Sequence, residues 1–290
     1  MNPTKIIFVV VIYNCPVSTS KTINSLARSY KSFLLKNKEN LREKIDLVIY
    51  DNSKKKSSYL KFNYLFNVHY FHDPKNSGLA KAYNLAFNQG IKKQSKWLIL
   101  FDQDSTLPSN YFAELFKEID EAQNLCVALV PKVFSNKKLI SPCGVFFGGI
   151  LRPLEKSYYG LNNRELFAIG SGTVISVAYL KKINGFNEAF WMDSLDRWLF
   201  DSIYKKKCSV WVSDININHQ LSVTNYDKYI STDRYRNIMK YESLFIKNYR
   251  SNLEVCIYKI RLIKRFFFLF FAFKNKKFAY MTFFHLIGKN

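Results

Sequence analysis

The chain has 290 residues, which is enough for one large domain or two small ones. Its hydrophobic content of 48% argues against intrinsic disorder. Its formal net charge of +22 predicts an anionic partner, either a nucleic acid, a phosphorylated substrate or an anionic membrane surface. The five cysteines form no Cys-x-x-Cys pair, so the sequence indicates neither a disulfide framework nor a zinc site and fits a reducing, cytosolic setting.

The first half of the chain alternates strand-like and helical patterns. Strands are predicted at residues 6–12, 45–50, 68–71 and 97–101, and helices at 18–35 and 79–89. The first helix has Ser18 or Thr19 as its predicted N-cap, and Gly90 closes the second. Apolar strands separated by helices indicate a parallel sheet with right-handed crossovers. The first apolar run is too short to span a bilayer and lacks a cleavage-site pattern.

The pattern changes after about residue 109. The predicted elements are a helix at 111–122, strands at 127–134 and 174–177, Gly-rich strands and turns at 139–150, and a helical turn at 179–183. An acidic cluster of Asp193, Asp196 and Asp201 follows, and His219 ends the last apolar stretch. We expect one α/β domain at 1–225, with halves at about 1–105 and 106–225, and a helical segment at 226–290.

Small polar or acidic residues follow four of the predicted strands, at Asn14, Asp51, residues 76–78 and residues 102–104. The carboxyl ends of parallel strands meet at one sheet edge, where open α/β sheets bind ligands. On a continuing strand Asp102 and Asp104 would share a face, and paired carboxylates suit a divalent cation and its diphosphate. Alone, this pair also fits a strand end and the turn that follows. Four such ends favour a nucleotide-sized site, while no dinucleotide-binding or P-loop motif is present.

Eight short motifs occur in a specific order, at residues 10–14, 49–53, 76–84, 100–105, 171–173, 185–188, 193–196 and 219–222. Together they resemble the inverting family 2 glycosyltransferases over about residues 5–225. The resemblance implies the GT-A fold, a Rossmann-like mixed, mainly parallel α/β sheet flanked by helices. The sequence Asp-Gln-Asp-Ser at 102–105 is similar to the rhamnosyltransferase-like branch of bacterial surface-polysaccharide synthesis.

The resemblance implies roles for individual residues. Inverting sugar transfer needs a metal to neutralise the leaving diphosphate and a base to deprotonate the acceptor hydroxyl. Asp104 matches the metal-binding carboxylate, Asp102 supports the metal or the ribose, and His219 matches a late metal-ligating histidine, so Mg²⁺ or Mn²⁺ is expected. The implied nucleotide-sugar contacts are Asn14, Asp51 (to the base), Asn76, Gly78, Lys81 and Asn84. The implied acceptor contacts are Ser171, Gly172 and Trp191.

Structural roles stay open for several of these residues. Asp51 also fits the cap of a turn, Lys81 a solvated helix face, and His219 a structural histidine beside the sheet. Residues 171–173 also fit a simple strand entry.

Asp196 matches the position of the general base in the family, but the residues that follow it depart from the family pattern. Many relatives carry Asp-x-Glu-Trp, whereas this chain has Asp196 followed by Arg197 and Trp198. An adjacent arginine is expected to lower the pKa of Asp196 unless it points elsewhere, which would weaken the base. Asp193 is therefore an alternative base, and Asp201 a weaker one.

The C-terminal segment is basic and aromatic. Residues 247–290 contain ten Lys and Arg residues and one acidic residue, Glu254. The apolar run at 266–273 is too short to span a bilayer, for which about 20 residues are needed. A basic aromatic helix can lie in the interface of an anionic membrane. The alternative is a helix packed on the protein core.

Taken together, we expect a transferase peripherally associated with the cytoplasmic face of the cell membrane. It would move rhamnose from dTDP-rhamnose to a lipid-linked saccharide in capsule, O-antigen or cell-wall polysaccharide synthesis. Another nucleotide hexose (UDP-galactose, UDP-glucose or UDP-galactofuranose) and a catalytically inactive membrane-bound scaffold are the alternatives. A nucleic-acid partner is not expected, because the cations concentrate in the tail and loops and the apparent site is acidic.

Overall fold

The computed structural model describes residues 4–37, 42–57, 65–219 and 231–288. It divides into two compact units, the first comprising residues 1–144 and 153–220 and the second comprising residues 145–152 and 221–290. The predicted boundary at 225 lies outside the described residues. Residues 145–152, which the sequence placed in the first domain, belong to the second unit in the structure.

The first unit is built on a mixed β-sheet. The strands of the described residues are β1 (Ile6–Ile12), β2 (Ile45–Asp51), β3 (Asn67–His72), β4 (Trp97–Asp102), β5 (Ser105–Thr106), β6 (Ala128–Ser135), β7 (Lys138–Ser141), β8 (Cys143–Phe146), β9 (Ile150–Pro153), β10 (Gly160–Asn162), β11 (Leu166–Phe167), β12 (Val174–Ser176) and β13 (Val210–His219). Of these, β8 and β9 include residues of the second unit. The main sheet has the order β10-β13-β6-β12-β4-β1-β2-β3. Strands β1 to β4 are parallel, as predicted, while β12 runs antiparallel to both of its neighbours. Every residue of β1 and β2 is buried, as is typical of parallel strands covered on both faces.

The helices flank this sheet in the first unit and form the bulk of the second. They are α1 (Lys21–Asn37), α2 (Leu79–Lys92), α3 (Tyr111–Ala122), α4 (Val177–Lys182), α5 (Leu195–Lys205), α6 (Thr232–Tyr249), α7 (Asn252–Ala272) and α8 (Lys277–Leu286). The first N-cap is Ser20, not Ser18 or Thr19, because its hydroxyl accepts the Ile23 N–H at 3.3 Å. Gly90 does not close α2. It lies inside the helix, where a Cβ would come within 3.1 Å of the Ile7 side chain in β1.

Aromatic packing fixes the two central strands of the sheet. The Phe8 ring in β1 lies 6.3 Å from that of Phe101 in β4 and 5.8 Å from that of Phe112 in α3. Tyr30 of α1 packs 5.0 Å from Phe112, so one cluster joins both strands to two helices. Such pairs stabilise a core beyond the burial of their area. The carboxyl ends of β1 and β4 are therefore held on a rigid base.

The second unit has a small apolar core of its own. Tyr235 and Met239 of α6, Leu269 of α7, and Phe278 and Ala279 of α8 form this core. The Tyr235 hydroxyl lies 2.6 Å from the Thr282 hydroxyl. Within the described ranges, no helix is both long enough and apolar enough to cross a membrane.

Candidate active site

The two carboxylates of the Asp-x-Asp motif come together through a turn, not along one strand face as predicted. Strand β4 ends at Asp102, residues 103 and 104 form the turn, and β5 begins at Ser105. Thr22 at the start of α1 holds this turn, since its hydroxyl donates to the Asp102 carbonyl at 2.5 Å and accepts the Ser105 N–H at 2.9 Å. Both the turn and the paired carboxylates are thus present in the structure.

His219, the last residue of β13, lies beside these carboxylates. Strand β13 pairs antiparallel with β5, and the register places His219 opposite Ser105. The Nδ1 atom of His219 lies 3.4 Å from Asp104 Oδ1, and one ligand atom from each of Asp102, Asp104 and His219 falls within 4.8 Å of the others. Carboxylate oxygens with one imidazole fit a divalent cation of the Mg²⁺ and Mn²⁺ type. The structure therefore brings together the three residues predicted as metal ligands, and metal binding itself stays a prediction.

Asp196 lies in the first turn of α5, where its Oδ2 accepts the Gly170 N–H at 3.0 Å. Withdrawal from water raises the pKa of Asp196 to about 7, and the negative charges of Asp102 and Asp193 add to this rise. Gly170 permits the close approach, because a Cβ there would lie 2.8 Å from Asp196 Oδ1. A carboxylate with a pKa near neutrality is suited to general-base catalysis.

The residues around Asp196 bear on the choice of base. The Arg197 guanidinium lies over the Phe167 ring, 6.0 Å from its centroid, and the pKa of Asp196 is raised and not lowered, contrary to the expectation from sequence. Asp193 is half-buried and close enough to influence Asp196. Asp201 is buried and forms an ion pair with Lys205 at 2.9 Å, which gives it a structural role within α5.

The raised pKa of Asp196 predicts a pH-dependent effect on stability. An unfolded aspartate titrates near 3.8 and the folded one at about 7, so the folded chain binds more protons between these values and loses stability as the pH rises through them. Asparagine cannot ionise. We therefore expect Asp196→Asn to have a higher melting temperature than the wild type at about pH 8. This difference in melting temperature should narrow toward about pH 4. Thermal unfolding measured across this pH range tests the prediction, with a substitution of an exposed residue, Asp120→Asn, as control. A difference in melting temperature that does not depend on pH would contradict a raised pKa of Asp196.

A glycine and a tryptophan organise the loop before α2. Gly78 has a φ of +93°, and a Cβ there would lie 2.2 Å from the Trp191 carbonyl oxygen. That oxygen accepts the Leu79 N–H at 2.7 Å, and the Trp191 indole donates to the Asn76 carbonyl at 2.8 Å. Trp191, predicted to contact the acceptor, thus fixes the loop that contains the predicted donor contacts Asn76 and Gly78.

Two residues of this region were missed by sequence reasoning. The carboxylate of Asp73 accepts the N–H groups of Lys75 and Ser77 at 3.1 and 3.0 Å and the Tyr50 hydroxyl at 2.9 Å. Burial opposes its ionisation, but the hydrogen bonds prevail and lower the pKa of Asp73 to about 2. An aspartate just before Pro74 is a recognisable turn signal. Tyr83 is buried, and burial together with the charges of Asp102 and Asp196 raises its pKa well above the usual range.

Removing the Asp73 carboxylate is expected to loosen the 73–78 loop. Asp73→Ala leaves two backbone N–H groups and one tyrosine hydroxyl without their partner, and we expect about a tenfold rise in KM for the donor with little change in kcat. Steady-state kinetics on a saturating acceptor measures both constants, and Asp120→Ala is the matched control. A fall in kcat at unchanged KM would contradict a positioning role for this loop.

Asp51 organises a second loop at the sheet edge. It is fully buried, its Oδ1 accepts the Ser53 N–H at 2.9 Å, and its Oδ2 accepts the Ser57 N–H at 3.0 Å and the Tyr70 hydroxyl at 2.5 Å. Burial opposes the ionisation of Asp51, yet these bonds lower its pKa. The Asn14 N–H donates to Ser53 Oγ at 2.8 Å. Asp51 thus acts as a turn cap here, and its contact with a nucleotide base stays a prediction.

A cavity of about 440 Å³ opens beside this loop. It is lined by Asn14, Cys15, Pro16, Ser53, Lys54, Lys55, Lys56 and Ser57. Three consecutive lysines make the lining basic, as expected of a place that receives part of an anionic ligand.

Asn84 and Lys81 occupy different positions on α2. The Asn84 Oδ1 accepts the Phe186 N–H at 2.7 Å, and its Nδ2 donates to the Phe186 carbonyl at 2.9 Å and to Glu188 at 3.0 Å. The side chain therefore fixes residues 186–188, and its contact with a nucleotide stays a prediction. Lys81 is exposed on the first turn of the helix, so its phosphate contact stays a prediction.

Ser171 and Gly172 support the sheet next to the Asp102 turn. Ser171 is fully buried, with its Oγ 2.6 Å from Ser105 Oγ and accepting the Asp102 N–H at 3.3 Å. Gly172 donates to the Leu100 carbonyl at 2.6 Å, and a Cβ there would lie 2.5 Å from the Ile217 side chain. Both residues thus support the segment that ends in Asp102, and their contact with an acceptor stays a prediction.

The fold is the GT-A fold of glycosyltransferases. The model of the family described as Glycosyl transferase family 2 matches residues 7–183, and the chain belongs to that family. No curated protein matches the chain significantly.

Solved structures of TarS from S. aureus are similar in fold. The TarS structure has a TM-score of 0.57 at 15% identity, covering 98% of this chain and 48% of TarS, so the chain spans about half of that protein. TarS 1–349 has a TM-score of 0.56 at 16% identity, covering 99% of this chain and 80% of that one. The complex of TarS 1–349 with UDP-GlcNAc has a TM-score of 0.56 at 16% identity, covering 98% of this chain and 80% of that one.

Proposed function

We propose that this chain is a metal-dependent inverting glycosyltransferase that uses a nucleotide sugar. The observation that carries the proposal is the raised pKa of Asp196, about 7, next to the cluster of Asp102, Asp104 and His219. Asp102 contributes to both features, because it belongs to the cluster and its charge raises the pKa of Asp196. A candidate base and a candidate diphosphate site therefore adjoin one another at one sheet edge.

The chemistry is a single displacement at the anomeric carbon of the sugar. Asp196 takes the proton from the acceptor hydroxyl as the new C–O bond forms and the bond to the diphosphate oxygen breaks. With a pKa of about 7, Asp196 is partly ionised at neutral pH, so it can take the acceptor proton and afterwards release it to water. Asp102, Asp104 and His219 would hold a divalent cation, which would supply positive charge to the leaving nucleoside diphosphate.

The donor is proposed to be dTDP-rhamnose and the acceptor a lipid-linked saccharide of capsule, O-antigen or cell-wall polysaccharide synthesis. The Asp-Gln-Asp-Ser sequence at 102–105 supports the rhamnosyltransferase-like branch. UDP-galactose, UDP-glucose and UDP-galactofuranose are alternative donors, and the TarS structures in complex with UDP and UDP-GlcNAc show that this fold accepts uridine nucleotides in another protein. A catalytically inactive scaffold is the second candidate, favoured by the missing glutamate after Asp196.

A donor panel distinguishes these candidates. The purified chain is incubated with Mn²⁺ and dTDP-rhamnose or each of the three UDP-sugars, with and without membrane lipid extract as acceptor. We expect one donor to release its nucleoside diphosphate, with a lipid product one sugar heavier by mass spectrometry. If the wild type releases nucleoside diphosphate from no donor faster than Asp196→Asn does, the result would support the scaffold and contradict the proposed activity.

The location proposed for the protein is the cytoplasmic face of the cell membrane, with residues 226–290 as the membrane-associating segment. The basic excess of residues 247–290 supports it, because anionic lipids attract Lys and Arg side chains near the surface. A lipid-linked acceptor would also lie in that membrane. Cell fractionation in the native host tests this location, and recovery of the whole protein in the unbound fraction at low salt would contradict it.

A further inference from the structure

Helix α7 is apolar on two opposite faces. One face is buried through Tyr258, Leu262 and Leu269. The other remains exposed, with exposed fractions of 53% for Ile260, 51% for Phe267 and 76% for Phe271. A surface helix of a globular protein normally carries polar residues on its outer face, and a helix that is apolar all round is normally covered. The outer face of α7 therefore calls for an apolar partner.

This outer face runs along the whole helix. Its exposed members recur at spacings of three, four and seven residues, which places them on one side of an α-helix. They are Leu253, Cys256, Ile260, Ile263, Phe267 and Phe271. A helix of 21 residues is about 30 Å long, so the stripe is an extended surface and not a local patch.

A short chain segment widens the same apolar surface. Residues 147–149 form a 3-10 turn that packs on α7, since a Cβ at Gly148 would lie 3.0 Å from the Ile257 side chain and the Arg261 guanidinium donates to the Gly148 carbonyl at 3.3 Å. The turn exposes Phe147 at 75% and leaves Phe146 and Ile150 about half exposed. These residues belong to the same unit as α7, although about 100 residues of sequence separate them. We call the α7 stripe and this turn together the apolar face.

Cations lie on and beside the apolar face. Lys259 and Lys264 are exposed in the middle of α7, and Lys274 is exposed just after its end. The acidic residues nearby are engaged, because Glu242 binds Arg265 at 3.0 Å and Glu254 caps α7 through Ser251. A second copy of this chain would bring lysines against lysines. Apolar rings interleaved with lysines match an anionic lipid surface, where rings enter the acyl boundary and ammonium groups meet the headgroups.

We infer that the apolar face docks the second unit on an anionic membrane, with α7 lying in the plane of the interface. The inference rests on the proposed membrane location but not on the transfer chemistry. It also changes which residues of the tail are involved. Within residues 266–273, Leu269 is buried and Phe266 and Phe270 pack on the core of the unit, so the run does not dock as a whole and contributes Phe267 and Phe271 to the apolar face.

Vesicle co-sedimentation of the full chain tests this surface. The vesicles are phosphatidylcholine alone, or phosphatidylcholine with about one third phosphatidylglycerol. We expect binding to the anionic vesicles that weakens as salt is raised. The triple variant Ile260→Ser, Phe267→Ser, Phe271→Ser should bind at least about tenfold more weakly, and Lys259→Glu with Lys264→Glu should remove the preference for anionic lipid.

Matched controls keep the result interpretable. Leu35→Ser with Lys36→Glu changes an exposed leucine and an exposed lysine on α1 and should bind like the wild type. Phe147→Ser alters only the turn and should weaken binding a few-fold even if the triple variant fails to fold. Donor turnover without lipid should be unchanged in all of them, so loss of vesicle binding alone is separable from failure of the transferase proposal.

Three results would overturn the inference. The first is wild-type protein that ignores anionic vesicles at low salt. The second is a folded triple variant that binds as well as the wild type. The third is a wild-type dimer by analytical ultracentrifugation that the triple variant converts to a monomer, which would assign the apolar face to self-association.

Discussion

Asp196→Asn is expected to lower kcat by about 10²–10⁴-fold while leaving donor binding nearly unchanged, because general-base catalysis contributes rate enhancement of that order. Asparagine keeps the size of the side chain and can still accept the Gly170 N–H, so the surrounding loop stays in place. Single-turnover rates of product formation measure the effect. Nearly full activity in this variant would remove Asp196 as the base.

Asp193→Asn is the matched comparison. The Asp193 charge contributes to the raised pKa of Asp196, so its removal should lower that pKa. In the wild type, kcat/KM should fall below about pH 7 as Asp196 becomes protonated. In Asp193→Asn this acid limb should move to lower pH with most of the activity retained. Loss of activity in Asp193→Asn and its survival in Asp196→Asn would assign the base to Asp193.

Asp104→Asn is expected to reduce turnover by about a thousandfold and to abolish stimulation by Mn²⁺. The variant removes one charge from the carboxylate pair that would hold the cation, and metal stabilisation of a leaving diphosphate amounts to several kcal/mol. Turnover rates are measured across a Mn²⁺ titration after the protein has been treated with EDTA. They give both the maximal turnover and its stimulation by Mn²⁺. His219→Ala should raise the Mn²⁺ concentration needed for half-maximal rate, because the other two ligands remain.

The control for this experiment is Asp120→Asn, an exposed carboxylate on α3, which should keep both the rate and the metal response. Turnover that is insensitive to EDTA in the wild type, with Asp104→Asn equally active, would show that the carboxylate cluster serves another purpose.

Much of the edge site follows from the sequence because it depends on local pattern. Apolar strands that end in Asp51 and Asp102 predict a parallel sheet with polar carboxyl ends, and β1 to β4 confirm that arrangement. The convergence of His219 on these residues followed only from the family resemblance. It depends on the pairing of β13 with β5, more than 100 residues apart in sequence, which no local pattern specifies.

Other roles depend on tertiary contacts that a sequence does not display. Ser171 and Asn84 look like ligand contacts in a motif, yet Ser171 is buried and both side chains make hydrogen bonds within the protein. The adjacent Arg197 was expected to lower the pKa of Asp196, but its guanidinium lies over Phe167. The turn at 147–149 packs on a helix about 100 residues away, so the apolar face could not be assembled from the tail sequence alone.

The most direct test of the proposed site is calorimetric titration with dTDP and UDP, because it requires no knowledge of the acceptor. In the presence of Mn²⁺ we expect one nucleotide to bind the wild type, with at least about tenfold weaker binding in EDTA and in Asp104→Asn. Absence of binding by either nucleotide, or binding that neither EDTA nor Asp104→Asn changes, would contradict a metal-assisted nucleotide-sugar site at Asp102, Asp104 and His219.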